Sequence, residues 1–465
     1  MNIWKTKSPA QIADAAEHTQ LKKNLTAFDL AALGIGSVVG TGIFVATGEG
    51  AHLAGPGVLV SFIIAAVTCG FCALTYSELA CMFPVAGSTY SYSYVAFGEV
   101  VAWIIGWDLM LEYLVSASAV ASGWSGIFVG LVKNFGEMIG VNLVLPKALS
   151  IPLLAGGVID LPAVVITLLI TWILFIGIRE SAIINNIIVI LKVAVILFFI
   201  FLGVRHINLA NLKPMMPYGW KGVMAGAAII FFAYIGFDAV STAAEETKNP
   251  KRDVPLGLML CLGVVIVLYV AVAFVLTGIV PFKQIVVNNA LPGALASIGI
   301  RWGGALVAGG AIIGMVSTLL VTLYGQIRIF MVMSRDGLLP PAFSKVHPKH
   351  KTPHVCTWIT GVATALIAGI APLPMIINLC NIGTLFAFVL VSVGVVVLRR
   401  TRPEVERKFR TPWVPLTPLI TVVFCFYLMA SLPGLTWIRF GIWLLIGLAI
   451  YFMYGFRHSK IQKEA

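Results

Sequence analysis

The sequence predicts an all-α integral membrane protein with twelve transmembrane helices, the first and sixth of them broken. Three observations predict it. Of 465 residues, 59% are hydrophobic and 11% charged, where a soluble domain carries about 25% charge. Apolar runs of roughly 20 residues recur along the chain, each long enough to cross the hydrocarbon core as a helix; lipid admits only helices or closed barrels. Finally, two runs hold residues that a spanning helix resists. One has six glycines in GIGSVVGTGIFVATGEG (Gly34 to Gly50), and the other sets an acid beside a glycine in AYIGFDAV (Ala233 to Val240).

The spans read as 28–53, 57–82, 97–132, 159–178, 182–204, 222–244, 255–280, 303–330, 355–372, 375–398, 413–432 and 436–455. The third and eighth are long enough to tilt or to extend past the bilayer. Residues 1–26 are polar and lack the apolar stretch and cleavage site of a signal peptide, so they read as a cytoplasmic segment. With both termini inside, 22 of the 31 Lys and Arg fall on the inner side, Arg179 among them, and 8 on the outer; Lys192 lies within the fifth span. This positive-inside pattern accounts for the net charge of +12 without a nucleic-acid partner.

Catalytic signatures are missing. There is no HExxH, GxxxxGK[ST] or GxSxG, and nothing supports ATP hydrolysis or covalent chemistry. His347, His350 and His354 sit in a basic, proline-containing loop and read as solvated. Cys69-x-x-Cys72 lies inside a lipid-embedded helix and reads as packing. No enzyme, metal site or disulfide framework is expected.

The breaks suggest transport. Spans one and six lie five apart, which points to an inverted repeat of spans 1–5 (27–206) and 6–10 (220–398), followed by helices 11 and 12 and a tail (399–465). An unwound helix leaves N–H and C=O groups that lipid does not tolerate but a cavity can use. The N–H groups that open a second half-helix attract an anion, and the carbonyls that close a first half attract a cation. Two such breaks face to face suit a zwitterion such as a free amino acid. Glycine lets the backbone itself approach the ligand.

The string from Gly34 to Phe44, together with FFAYIGFDAVSTAAEETKNPKRDVP (Phe231 to Pro255) and SRDGLLP (Ser334 to Pro340), resembles the amino acid–polyamine–organocation superfamily, and within it the bacterial branch of the cationic amino acid transporter family. The resemblance implies the leucine-transporter fold, a five-plus-five inverted repeat plus two helices. It also implies an amino acid permease in the cell membrane. Thr41 and Gly42, with Gly40 beside them, would meet the substrate carboxylate. The carbonyls of Val38, Phe232 and Ile235 would take the ammonium, near Ala233. Phe232 matches a gating aromatic; Phe231 is its rival if the register slips by one. Span eight would supply Met315 and Thr318.

Lys192 stands roughly 15 Å from either end of its helix at 1.5 Å per residue, too deep to snorkel. It must face a cavity or a partner. In some proton-coupled members of the superfamily a span-five lysine takes the place of a sodium ion, so Lys192 is the candidate carrier of the coupling proton and no Na+ site is expected. A structural lysine bonded to span-one carbonyls is the other reading. Glu112 and Asp108, four residues apart on one face of span three, Asp238 beside the sixth-span break and Glu78 in span two are further embedded acids. Glu112 and Asp238 are the proton-linked candidates among them. No acid in spans eight or ten offers itself to a cationic side chain, which favours a neutral substrate unless Glu112 reaches the pocket. The expected partners are an amino acid and the lipid bilayer; a monomer suffices, and a small helical or lipid regulator stays open. Proton symport is favoured over amino acid exchange, and a transporter-fold nutrient sensor or a channel is less consistent with the short tails and the lack of a repeated filter.

Overall fold

The structure is a computed structural model and describes residues 2–8, 25–84, 87–177, 182–350 and 352–463. Most of the predicted cytoplasmic segment, and Arg179, lie outside the described residues. The described chain is helical, without a named strand. Eight helices are long and apolar enough to cross a membrane, and four shorter apolar helices, Ala27–Val38, Leu161–Ile176, His354–Ile370 and Leu416–Ala430, accompany them.

Helix α1 (Ala27–Val38) starts at a capping box: the Asp29 carboxylate accepts the Thr26 amide at 2.9 Å, and the Asp29 amide donates back to the Thr26 hydroxyl at 3.4 Å. The helix stops where Val39 turns extended, and the chain resumes as α2, a π turn over Gly42–Ala46 that continues as α-helix through Thr47–Ala54. The predicted first span is thus two helices separated at residues 39–41. Helix α3 (Val58–Met82) follows, then α4 (Ser88–Ala96), the long α5 (Glu99–Met138), α6 (Leu161–Ile176) and α7 (Ala182–Val204).

The sixth run breaks as well. Helix α8 (Gly219–Ile230) passes into a 3-10 turn over Phe231–Tyr234; Ile235 is extended, and Gly236 sits at φ +107°. That left-handed conformation strains any residue with a Cβ. The second half is shorter than the predicted 222–244 span requires: α9 covers only Ala239–Thr242, before a 3-10 turn at Ala244–Glu246. The Ser241 hydroxyl donates to the Asp238 carbonyl at 2.6 Å and the Thr247 hydroxyl to Ala243 at 3.0 Å, so side chains compete here for carbonyls a longer helix would use.

Helices α10 (Pro250–Ile279), α11 (Ala290–Ser297), α12 (Arg301–Arg335), α13 (His354–Ile370), α14 (Leu373–Thr401), α15 (Leu416–Ala430) and α16 (Gly434–Ile450) complete the bundle. Helix α5 packs along α12 and α14, while α10 packs along α1 and α3. A short backbone strap joins the two broken runs: the Leu25 amide donates to Glu246 at 3.0 Å and the Lys248 amide to Leu25 at 2.9 Å.

Glu78 of α3 belongs to this scaffold. Arg399 grips its carboxylate through two nitrogens at 2.9 and 2.7 Å, Arg407 lies at 3.5 Å, and the Thr411 amide donates at 2.8 Å. Glu78→Gln strips two guanidinium groups of their counter-charge; we expect it to lower unfolding stability by about 2–4 kcal/mol without altering substrate selectivity, as read by thermal unfolding in detergent. Nearby, Lys251 lies 2.6 Å from Glu406 on the surface and holds that carboxyl below its ordinary range. This small contribution is present above the unfolded carboxyl's range and is lost as pH falls through the folded one.

Candidate functional site

The broken segments face each other across a close backbone contact. A Cβ built on Gly42 would fall 2.3 Å from the Cα of Ala233, so only glycine permits the approach. Gly236 meets the other side of the first break, where a Cβ would lie 2.9 Å from the Ser37 hydroxyl.

A cavity of about 440 Å³ runs from this crossing to one end of the bundle. Its deep end is formed by Gly40, Thr41, Gly42, Phe232, Ile235 and Thr318, and its mouth by Leu25, Asp29, Glu246, Arg328 and Thr352. Beyond the crossing the chain is packed. Gly48 abuts the Val287 backbone, Gly50 abuts Ile230, and His52 Nε2 lies 2.7 Å from the Ile285 carbonyl.

The orphaned backbone groups are distributed in a pattern. The last four carbonyls of α1 have no partner within the helix unless a turn or a side chain supplies one. The Val39 amide serves Ile35 at 2.8 Å. Lys192 Nζ donates to the Gly36 carbonyl at 2.5 Å, and the Tyr269 hydroxyl of α10 donates to Val38 at 3.0 Å. Across the crossing, the Asn381 amide of α14 donates to Ala228 at 2.6 Å and Ile229 at 3.3 Å, where α8 gives way to the 3-10 turn. Thr41 and Gly42 open α2, whose first N–H groups have no helical acceptor. The break therefore keeps donors at one end of a cavity and places side-chain donors on several of its carbonyls.

Lys192 is fully buried. Besides Gly36, its ammonium donates to the Thr318 hydroxyl of α12 at 2.8 Å, and Thr318 itself lines the cavity. Gly314 gives the lysine stem its channel, since a Cβ there would come within 2.9 Å of Lys192 Cγ. One side chain thus joins α7 to α1 and α12 directly behind the crossing.

The sequence-predicted residues are placed as follows. Val38, Gly40, Thr41, Gly42, Phe232, Ile235 and Thr318 line the cavity, as do Glu112 and Asp238. The Thr384 hydroxyl of α14 donates to the Cys380 carbonyl at 3.1 Å. Phe231 is turned away and packs edge-on to Phe388, so Phe232 is the aromatic at the cavity. Ala233 is buried against Gly42, and Met315 is buried with its sulfur 3.8 Å from the Thr41 hydroxyl. His347 and His350 pack against Phe175 and His354 packs edge-on to His347, and no group of metal-ligating side chains occurs among the described residues.

Tyr269 and Asn381 were not singled out from sequence, although Tyr269 is a lone polar group in an apolar run and Asn381 is an amide inside a spanning run, so that each needs a partner. Tyr269→Phe removes the donor to Val38; we expect apparent substrate affinity to change about fivefold, equivalent to about 1 kcal/mol, in a scintillation proximity binding assay.

Several known proteins have similar sequences. A family model described as amino acid permease matches residues 25–453. A branched-chain amino acid permease, BcaP, of Bacillus subtilis (strain 168) is 48% identical over 460 residues, covering 97% of this chain and 97% of that protein. A methylthioribose transporter of the same organism is 46% identical over 99% of this chain and 100% of its own length. The cationic amino acid transporter 9, chloroplastic, of Arabidopsis thaliana is 34% identical over 94% of this chain and 89% of its own. These are transporters, not enzymes. The chain belongs to the amino acid permease family of the amino acid–polyamine–organocation superfamily.

Proposed function

We propose that the protein carries a free, neutral L-amino acid across the cell membrane by proton-coupled symport. The single observation that supports this reading best is the pair of broken helices meeting at the end of a cavity, with a buried lysine bonded to a carbonyl that the break sets free. In this reading α1 with α2 forms the first of twelve spans and α8 with α9 the sixth. Spans 1–5 and 6–10 are then the inverted halves of a leucine-transporter fold, and both termini are cytoplasmic. The cavity mouth lies between Asp29, Arg328 and Thr352, on the side richer in Lys and Arg, so this conformation is open inward.

The substrate carboxylate sits on the amides of Thr41 and Gly42. Its ammonium takes the Phe232 and Ile235 carbonyls and the remaining lone pair of Val38, while Phe232 covers it. Charged Lys192 stands where a sodium ion would need the Gly36 carbonyl, so transport does not depend on sodium. When Lys192 gives up its proton, its hold on Gly36 weakens and α1 is free to move against α7 and α12; binding of substrate and of the proton are linked through that helix. A branched, apolar side chain suits the wall next to Val120 and Thr322. The test is counterflow of labelled leucine in proteoliposomes against a panel of unlabelled competitors. We expect leucine, isoleucine and valine to compete in choline as well as in sodium buffer. Competition by arginine and lysine alone, or a strict need for sodium, would contradict the reading.

A further inference from the structure

Helix α5 carries three buried acids, and the fold treats them differently. Glu99, fully buried at its start, accepts hydrogen bonds from the Tyr94 hydroxyl at 3.1 Å, the Tyr451 hydroxyl at 2.8 Å, the Ser459 hydroxyl at 2.5 Å and the Gln462 amide at 3.4 Å. Glu112 lines the cavity and so opens onto solvent. Asp108 lies between them, fully buried, and neither of its oxygens meets a donor among the described residues. Yet space has been made for it: a Cβ on Gly383 of α14 would fall 2.7 Å from Asp108 Oδ1.

An ionised carboxylate in a low-dielectric interior needs several donors or a cation. The titratable groups around Asp108 offer neither. On its own helix it faces Glu112, a like charge, and from α14 the Cys380 thiol lies near both acids. Across the cavity Glu112 in turn faces Asp238, a third carboxylate; Arg328, which also lines the cavity, is engaged over the Tyr324 ring at 4.7 Å, and Tyr451, just past α16, is committed to Glu99. The neutral acid is the form this pocket accepts. Glu112 is one helical turn away on the same face and opens onto the cavity, so it is the route by which a proton on Asp108 reaches water.

We infer that Asp108 holds a proton in the inward-open state and exchanges it with the cavity through Glu112, making the pair a second proton-linked site beside Lys192. This rests on the permease reading above and deepens it. In the exchange, the proton leaves an Asp108 oxygen for a Glu112 carboxylate oxygen and then passes to cavity water, so no other reactant is needed. Asp108 acts on the substrate only through Glu112 and is a positioning residue in that sense.

The test is infrared difference spectroscopy of the full-length protein in lipid, with leucine added or omitted, combined with the pH profile of leucine uptake. A protonated-carboxyl C=O band is expected in the wild type near neutral pH, shifting on leucine addition. It should vanish in Asp108→Asn, whose uptake profile should lose one titrating limb. In Glu112→Gln the band should persist but cease to respond to leucine, and this variant decides the matter should Asp108→Asn fail to fold. An unchanged band and an unchanged pH profile in Asp108→Asn would overturn the inference, as would absence of the band from Glu112→Gln. Leucine counterflow by the wild type in the same preparation separates the two levels. If counterflow is absent the permease reading fails; if it is present while the bands contradict, only the role of Asp108 falls.

Discussion

Gly42→Ala is expected to abolish transport while leaving a folded membrane protein. The added methyl would lie 2.3 Å from the Ala233 Cα and 2.8 Å from its Cβ. The nearer obstacle is backbone, which cannot swing aside as a side-chain tip does. The two broken segments must part, and the groups proposed to hold the carboxylate and the ammonium move with them. A displacement of this kind costs at least about 1.4 kcal/mol of binding, or tenfold in affinity, and we expect the loss to be larger. Leucine binding and counterflow read the effect, and size-exclusion chromatography checks the fold. Near-normal counterflow in Gly42→Ala would mean that the crossing is not the substrate site.

Lys192→Met carries the second large effect. Methionine retains much of the apolar stem beside Gly314 but removes the donor from the Gly36 carbonyl and the Thr318 hydroxyl. Leaving a buried acceptor without its donor costs about 1–3 kcal/mol, so the thermal midpoint should fall by several degrees. The functional effect should be out of proportion to that loss. Uptake that follows an inward proton gradient is expected to drop to the level of a simple exchanger, because the variant has no proton to give or take at this position. Gradient-driven uptake at the wild-type level in Lys192→Met would make the lysine a structural brace.

The parts of the site that were legible in the sequence are those that violate the rules of a spanning helix. Glycines at 36, 40 and 42, an acid at 238 and a lysine at 192 are anomalies in lipid, and each turns out to lie at or beside the crossing. The choice of Phe232 over Phe231 rested on the resemblance and not on periodicity. Helical periodicity assumes a constant rotation per residue, and the 3-10 turn over Phe231–Tyr234 changes it. Tyr269 escaped because one hydroxyl hardly perturbs an apolar run and Asn381 because it is one of several polar residues in NLCNIGT, and their partners, Val38 and Ala228, are backbone carbonyls with no sequence signature. Glu78 stood out as an embedded acid, but its scaffold role depends on Arg399, 321 residues away in the chain. Asp108 and Glu112 could be placed on one face by spacing alone; that one opens onto the cavity and the other has no donor among the described residues is a property of the packing around α5.

The fold follows the same division. The apolar runs read directly as helices because backbone groups in lipid must bond within the segment. The brevity of α9 was not legible, since VSTAAE is compatible with helix and only the competition of Ser241 and Thr247 for local carbonyls shortens it. The strap between Leu25 and Glu246 depends on backbone pairing between distant segments and has no local signal at all.

The measurement that tests the central claim most directly is uptake of labelled leucine into proteoliposomes that contain no internal amino acid, with and without an inward proton gradient. The account predicts accumulation above equilibrium that collapses with a protonophore and is indifferent to sodium. Uptake that ignores the gradient and requires amino acid inside the vesicle would contradict it and identify the protein as an exchanger.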